Sequence, residues 1–380
     1  MLSVEFRILF GVLFLGMALS CSQKTSEEIE RWEPSAIVVA EWPEKSMDQI
    51  DFANIPFKNL SDYGFFKGEV TALAPKDRVL PYAPASSLFT DYAYKSRFIW
   101  MPEGETATIN PDEEGTLDFP DQTILIKNFY YPLDFAQPQG PKRIIETRLM
   151  VKQNGIWEAY PYIWKDDQSD AEYKVVGAEQ TVHWKDAAGE TQVINYLVPN
   201  KNQCKSCHNA NEVMVPIGVK AKHLNHTIDF LEGASNQLVK WASEGMLNGF
   251  DHPEAYPKMV DYFDSKEPLE LRAKAYLDIN CAHCHRAEGP ASTSGLFLTY
   301  EEKDPLKLGV FKTPVAAGFG AGSFKYAILP GKADESILTY RMETNIVGAA
   351  MPEIGRVTTH REGLDLIKTW INGMNVKAYN

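Results

Sequence analysis

The chain has 380 residues, 44% of them hydrophobic and 12% aromatic, enough to build two or three ordinary domains with real cores. Its formal net charge of −13 argues against nucleic acid or anionic lipid as partners. An acidic surface suits a basic redox partner, and it also serves solubility.

Arg7 is followed by "ILFGVLFLGMALS" and then by Cys21. This apolar run is shorter than the roughly twenty residues a membrane-spanning helix needs. A basic residue, a short apolar core and small residues before a break describe an export signal. Ending at a cysteine, it resembles the lipobox of bacterial lipoproteins, whose cysteine becomes the lipidated first residue. Ala18 stands where such signals usually have leucine, so cleavage without lipid stays open. Residues 1–21 are therefore expected to be a lipoprotein-type signal with Cys21 as the lipidation site. The polar segment 22–41 reads as a tether.

Residues 42–200 read as an all-β domain. The runs "SRFIWM", "QTILIKNFYY", "IETRLMVKQ", "IWEAYPYIW" and "TQVINYLV" are short, aromatic or alternating, and separated by Pro, Gly, Asp and Asn. Its aromatics are assigned to sheet packing. His183 is the one histidine, and no chemistry is assigned to this half.

"NQCKSCHNA" then places Cys204, Cys207 and His208 together, and "CAHCH" repeats the pattern at Cys281, Cys284 and His285, 77 residues on (281 − 204). C-x-x-C-H is the attachment pattern of c-type haem: two thiols reach the two vinyl groups of a porphyrin, and the adjacent imidazole falls under the iron. A pooled four-cysteine zinc site is the rival, and a thioredoxin-like site a weaker one. Neither explains a histidine after both pairs. With five cysteines in all, one is left for lipid, four for two covalent haem c groups and none for a disulfide.

Segment 201–264 is the first haem-binding segment. A strand and a proline turn lead into its motif, and "SNQLVKWASEGML" reads as a helix with Leu238, Trp241, Ala242 and Met246 near one face. Met214, Met246, Met259, His223 and His226 are the candidates for the first iron's sixth ligand. Met214 lies too close behind His208 to reach the far face. Met246 is the best placed of the rest; core packing is its competing use, and an open sixth site is the alternative.

Segment 265–380 reads as a class I cytochrome c-like domain. A helix starts at Pro268, carries Leu269, Ala273, Tyr276 and Leu277 on one face, and runs into "CAHCH". "THREGLDLIKTWING" reads as a terminal helix with a Thr359–Glu362 capping box, an apolar stripe of Leu364, Ile367 and Ile371, and a stop at Gly373. Met351, in "GAAMPEIGR", lies 66 residues past His285 (351 − 285), where such cytochromes carry the methionine opposite the histidine. His283 reads as a residue at the surface or just behind the iron's ligands, His360 as an exposed residue at a helix start, and "GFGAGS" at 318–323 as a loop near a haem edge. The expected fold is α+β and multidomain: an all-β N-terminal domain, then a mainly α-helical cytochrome c-like region.

The stretches "PYAPASSLFTDYAYKSRFIWMPEG", "DFPDQTILIKNFYY", "VPNKNQCKSCH", "RAKAYLDINCAHCH", "PVAAGFGAGS", "ILPGKADESILTYRM" and "MPEIGR" resemble a family of bacterial dihaem c-type cytochromes with a β-rich N-terminal half. That resemblance implies haem attachment at Cys204 and Cys207 and at Cys281 and Cys284. It implies His208 and His285 as axial ligands and Met351 as a further one. The expected role is electron transfer between redox proteins on the periplasmic side, anchored by lipid to the outer membrane. A dihaem peroxidase, or a haem module serving a β-domain that binds substrate or partner, is the alternative.

Overall fold

The computed structural model describes residues 40–379 except 48, 49 and 317. The export signal, Cys21 and nearly all of the tether lie outside the described residues. The centre of the fold is a six-stranded antiparallel sheet in meander order. Its strands are β1 (Leu80–Pro81), β2 (Tyr94–Trp100), β3 (Ile124–Pro132), β4 (Lys142–Gln153), β5 (Ile156–Trp164) and β6 (Ala171–Tyr173), each paired with its neighbour in the chain. Asn154 and Gly155, both at positive φ, close the β4–β5 hairpin, as a two-residue loop of that twist requires. A second hairpin, β7 (Ala178–Lys185) with β8 (Thr191–Val198), stands beside the sheet.

Both faces of the sheet are covered, which is why β3 is apolar nearly throughout. Phe98, Ile126, Leu149 and Tyr160 lie abreast on one face and join a core with Leu60, Tyr63, Phe65 and Phe66. On the other face Ile99, Leu125, Met150 and Ala159 lie abreast and pack under Cys204, Leu238, Trp241 and Met246. Further along that face, Phe129 and Tyr131 meet Trp184 and Tyr196 of the second hairpin.

The first motif lies on α1 (Lys201–Cys207), which follows β8 directly; Asn200 and Gln203 form its capping box. The leading strand and proline turn expected there are present, and the motif itself is helical. After α2 (Ala221–Leu224) comes α3 (Gln237–Ser243), with Leu238 and Trp241 fully buried and Met246 just beyond its end. Leu247–Asn248 then runs parallel to Ala107–Ile109, stitching this segment to the β-rich part.

α4 (Leu269–Leu277) continues as a wide turn over Asp278–Ala282 into the second motif. The last helices are α5 (Pro305–Leu308), α6 (Ile337–Glu343) and α7 (Arg361–Asn372). α4 and α7 pack on each other so closely that a Cβ on Gly363 would lie 2.3 Å from the Tyr276 ring. Only glycine fits there.

The expected mainly α-helical cytochrome c-like region is corrected by this arrangement. The described chain is predominantly β, and from residue 265 onward short helices are set in turns and 3-10 segments. Gly289, Pro290, Gly295, Gly309, Pro314 and Pro330 break the chain too often for longer helices. The described residues all fall within one compact unit. The Thr359–Glu362 capping box is also absent: His360 is the residue before α7, and its side chain makes no cap.

Candidate functional site

The second motif opens into a cavity of about 530 Å³, lined by Cys281, Cys284, His285, Ile337, Met342 and Met351 among others. His285 is placed by its backbone carbonyl, which accepts from Leu298 N at 2.9 Å. Its Nδ1 faces Ser294 Oγ at 3.4 Å, and that hydroxyl donates to Ala291 O. Burial, with the charges of His283 and Arg341, pulls its pKa down to about 4. Met351 N donates to Arg341 O at 2.8 Å, and Arg356 Nε donates to Met351 O at 3.1 Å, so the methionine backbone is fixed on the cavity wall. Burial pushes the Cys281 thiol up to about 12.

His360 also lines this cavity and is 7% exposed, contrary to its reading as a surface residue. It stacks on Phe89 at 4.2 Å and meets the Tyr276 hydroxyl through Nδ1 at 3.2 Å. Residues 318–323 are absent from the lining; Gly320 and Gly322 instead pack against Arg341 and Tyr340.

The first motif is housed differently. Cys204 is buried in the same core as Met246 and Trp241. His208 Nδ1 lies 2.9 Å from Val215 O, and burial pulls its pKa down to about 3. Met214 pairs with Asn209 on the turn behind the histidine, as its short spacing suggested. His223 is engaged through Nε2 with Asp278 at 3.0 Å, and His226 through Nε2 with Ala83 O at 2.9 Å. Met259 belongs to the core around α4 and α7. Of the five candidates, Met246 is buried in the core of Cys204 and Met214 packs against the edge of that core.

The two motifs touch. Cys207 Sγ, Cys284 Sγ and a ring nitrogen of His283 lie within 4.8 Å of one another, and Cys284 Sγ is 3.8 Å from Ser206 O. The paired thiols split their affinities: Cys284 holds Cys207 below the ordinary thiol range, and Cys207 holds Cys284 above it. Cys204 and Cys281 stand outside this cluster, so no four-cysteine site forms among the described residues.

A buried charge network locks the two segments in place. Lys222, 1% exposed, donates to Asp278 at 2.6 Å, Glu114 at 2.8 Å and Glu301 at 3.0 Å. Asp278 leads into the second motif, Lys222 follows the first, and Glu114 belongs to the β-rich part. The lysines pull Glu114 down to about 2 against its burial, and Asp278 also lies well below the carboxylate range. Sequence reasoning missed this network because its members lie up to 187 positions apart (301 − 114).

No family model, curated protein or solved structure matches this chain. No described helix is long and apolar enough to cross a membrane.

Proposed function

We propose that the chain is an exported electron-transfer protein carrying two covalent haem c groups, at Cys204 and Cys207 and at Cys281 and Cys284. The observation that carries this reading is the cavity at the second motif, with His285 and Met351 both in its wall. The remaining donor chemistry fits. Each motif histidine is neutral near pH 7 and turns Nδ1 toward an oxygen, which leaves Nε2 as the iron-binding nitrogen.

When bound, haem supplies a one-electron couple. The chain's part is to hold and tune it: His285 and Met351 would ligate the iron at the second site, and His208 with Met246 would do so at the first. A methionine thioether favours ferrous iron and raises the potential, as a carrier requires. Leu298, Ile337 and Met342 wall the second site with apolar surface. The contact of Cys207 with Cys284 sets the two attachment points side by side, which suits passage of electrons within the molecule. Cys21 carries the lipid anchor in this reading, and Cys21→Ser releases the protein from membranes.

The test is a visible and EPR spectrum of the purified protein with a peroxide assay. A carrier gives two low-spin irons, slow cyanide binding and no peroxide turnover. High-spin iron with turnover of about 10 per second or more would favour a peroxidase instead.

One observation favours a second reading. Cys207, His283 and Cys284 could hold a zinc ion with a fourth position open. That reading leaves Cys204, Cys281, His208 and His285 without a role. Stoichiometric zinc in haem-free protein would support it.

A further inference from the structure

The sheet face that carries the first motif holds a charged band. Strand register puts Arg97, Lys127, Arg148 and Pro161 abreast, and Lys95, Phe129, Glu146 and Ile163 abreast in the next row. On one side of these rows lies the apolar row of Ile99, Leu125, Met150 and Ala159 under Cys204; on the other is the core around Tyr131 and Trp184. The middle of an otherwise apolar face thus carries four cations against one carboxylate, a surplus of three (4 − 1).

The pairing is uneven. Arg148 binds Glu146 through two nitrogens, at 2.5 and 2.7 Å, and Glu146 also accepts from Tyr196 OH. Lys95 donates to the Ala93 carbonyl at 2.7 Å and lies 6.0 Å from the Phe129 ring centroid. Lys127 and Arg148 lie over the Phe129 ring, at 4.8 and 4.4 Å from its centroid. The side chain of Arg97, a residue 9% exposed, makes no hydrogen bond or ion pair, and among the described residues no carboxylate lies within ion-pair distance of Lys95, Arg97 or Lys127. Burial and mutual repulsion hold both lysines well below their ordinary range. Three unpaired cations sharing one partly buried face cost free energy unless an anion completes them.

The band adjoins the first motif. α1 packs on β5 beside Arg148, and Cys204 sits over the neighbouring apolar row.

We propose that Arg97, Lys127 and Arg148, with Lys95 behind them, form the binding floor for the carboxylates of the haem attached at Cys204 and Cys207. This rests on the reading that the first motif carries haem. It gives the β-rich part, otherwise without a role, the task of setting the charge around the first cofactor. Positive charge beside a haem stabilises its reduced, more negative state, so Arg97 and Lys127 are positioning and tuning residues rather than ligands.

The experiment uses full-length haem-loaded protein with Lys127→Gln and Arg97→Gln made singly. Removing a surplus cation relieves repulsion, so the variants fold. The expected result is two haems by mass, a lower midpoint potential for one haem, the other unmoved, and restoration by Lys127→Arg. Both midpoints unchanged with two haems present overturns the proposal. An unmodified Cys204–Cys207 peptide in the wild type removes its premise and is read separately, by peptide mass. A free carboxylate is the other source of such an anion: a wild-type midpoint that shifts with added citrate would assign the band to a dissociable ligand and overturn the proposal, whereas indifference to citrate supports it.

Discussion

The two C-x-x-C-H segments carry the same five-position pattern in very different housings. Cys281, Cys284 and His285 open into a cavity of about 530 Å³ with Met351 on its wall. Cys204 and His208 are set against a packed core that includes Met246 and a cationic sheet face. The attachment chemistry is therefore written in a motif, while the surroundings that tune it come from distant chain. At the second site those surroundings come mostly from residues 276–360, joined by Phe89, Ser206 and Cys207. At the first they include charged strand residues 56 to 109 positions earlier (204 − 148, 204 − 95) and the later core residues Leu238, Trp241 and Met246.

The sharpest way to break this comparison is to remove one attachment. Cys281→Ala with Cys284→Ala should leave one haem of two, and peptide mapping should find it on Cys204 and Cys207. Loss of both would mean that the sites do not form independently.

Next is the lock between them. Lys222→Ala leaves Asp278, Glu114 and Glu301 facing one another without their cation, at a cost of about 3–5 kcal/mol. Thermal unfolding measures this, and a loss under 1 kcal/mol would show the network to be incidental. The same network sets an acid limit. Glu114 and Asp278 titrate lower in the folded chain than unfolded, so their pairing contributes fully above about pH 4.5 and is lost as pH falls toward about 2. Stability followed by denaturant midpoint should fall across that window, more steeply than in Glu114→Gln.

Smaller effects separate the thioethers. Met351→Ala should remove the weak methionine-to-iron charge-transfer band in the far red and lower one midpoint, with both haems retained. Met246→Leu conserves volume and should cost less than about 1.5 kcal/mol. A changed spectrum at the first haem with unchanged stability marks Met246 as a ligand; an unchanged spectrum reduces it to packing.

Much of the β-rich part was legible. Strands Ile156–Trp164 and Thr191–Val198 coincide with "IWEAYPYIW" and "TQVINYLV", because Asn-Gly and Pro-Asn punctuate them sharply. The helix ahead of "CAHCH" and the terminal helix were legible from their apolar stripes. Extending those two helices into a mainly helical region was the error, since the chain between them is broken by glycine and proline. The meeting of Cys207 with Cys284 joins segments 77 residues apart (284 − 207), which no local pattern encodes. Lys95 and Arg97 flank Ser96, and Lys127 precedes Asn128, as polar stretches open to solvent would, so their place on a covered face emerges only from strand register. His360 looked exposed beside a helix start, and only tertiary packing against Phe89 buries it.

The central claim is that both motifs hold covalent haem. Mass spectrometry of the denatured, purified protein tests it directly, because thioether-bound haem survives unfolding while dissociable cofactors and metals leave. Two added haem masses, one on each motif peptide, are the predicted result. A mass with no haem added, with free thiols or a zinc ion recovered from Cys207 and Cys284, would contradict it.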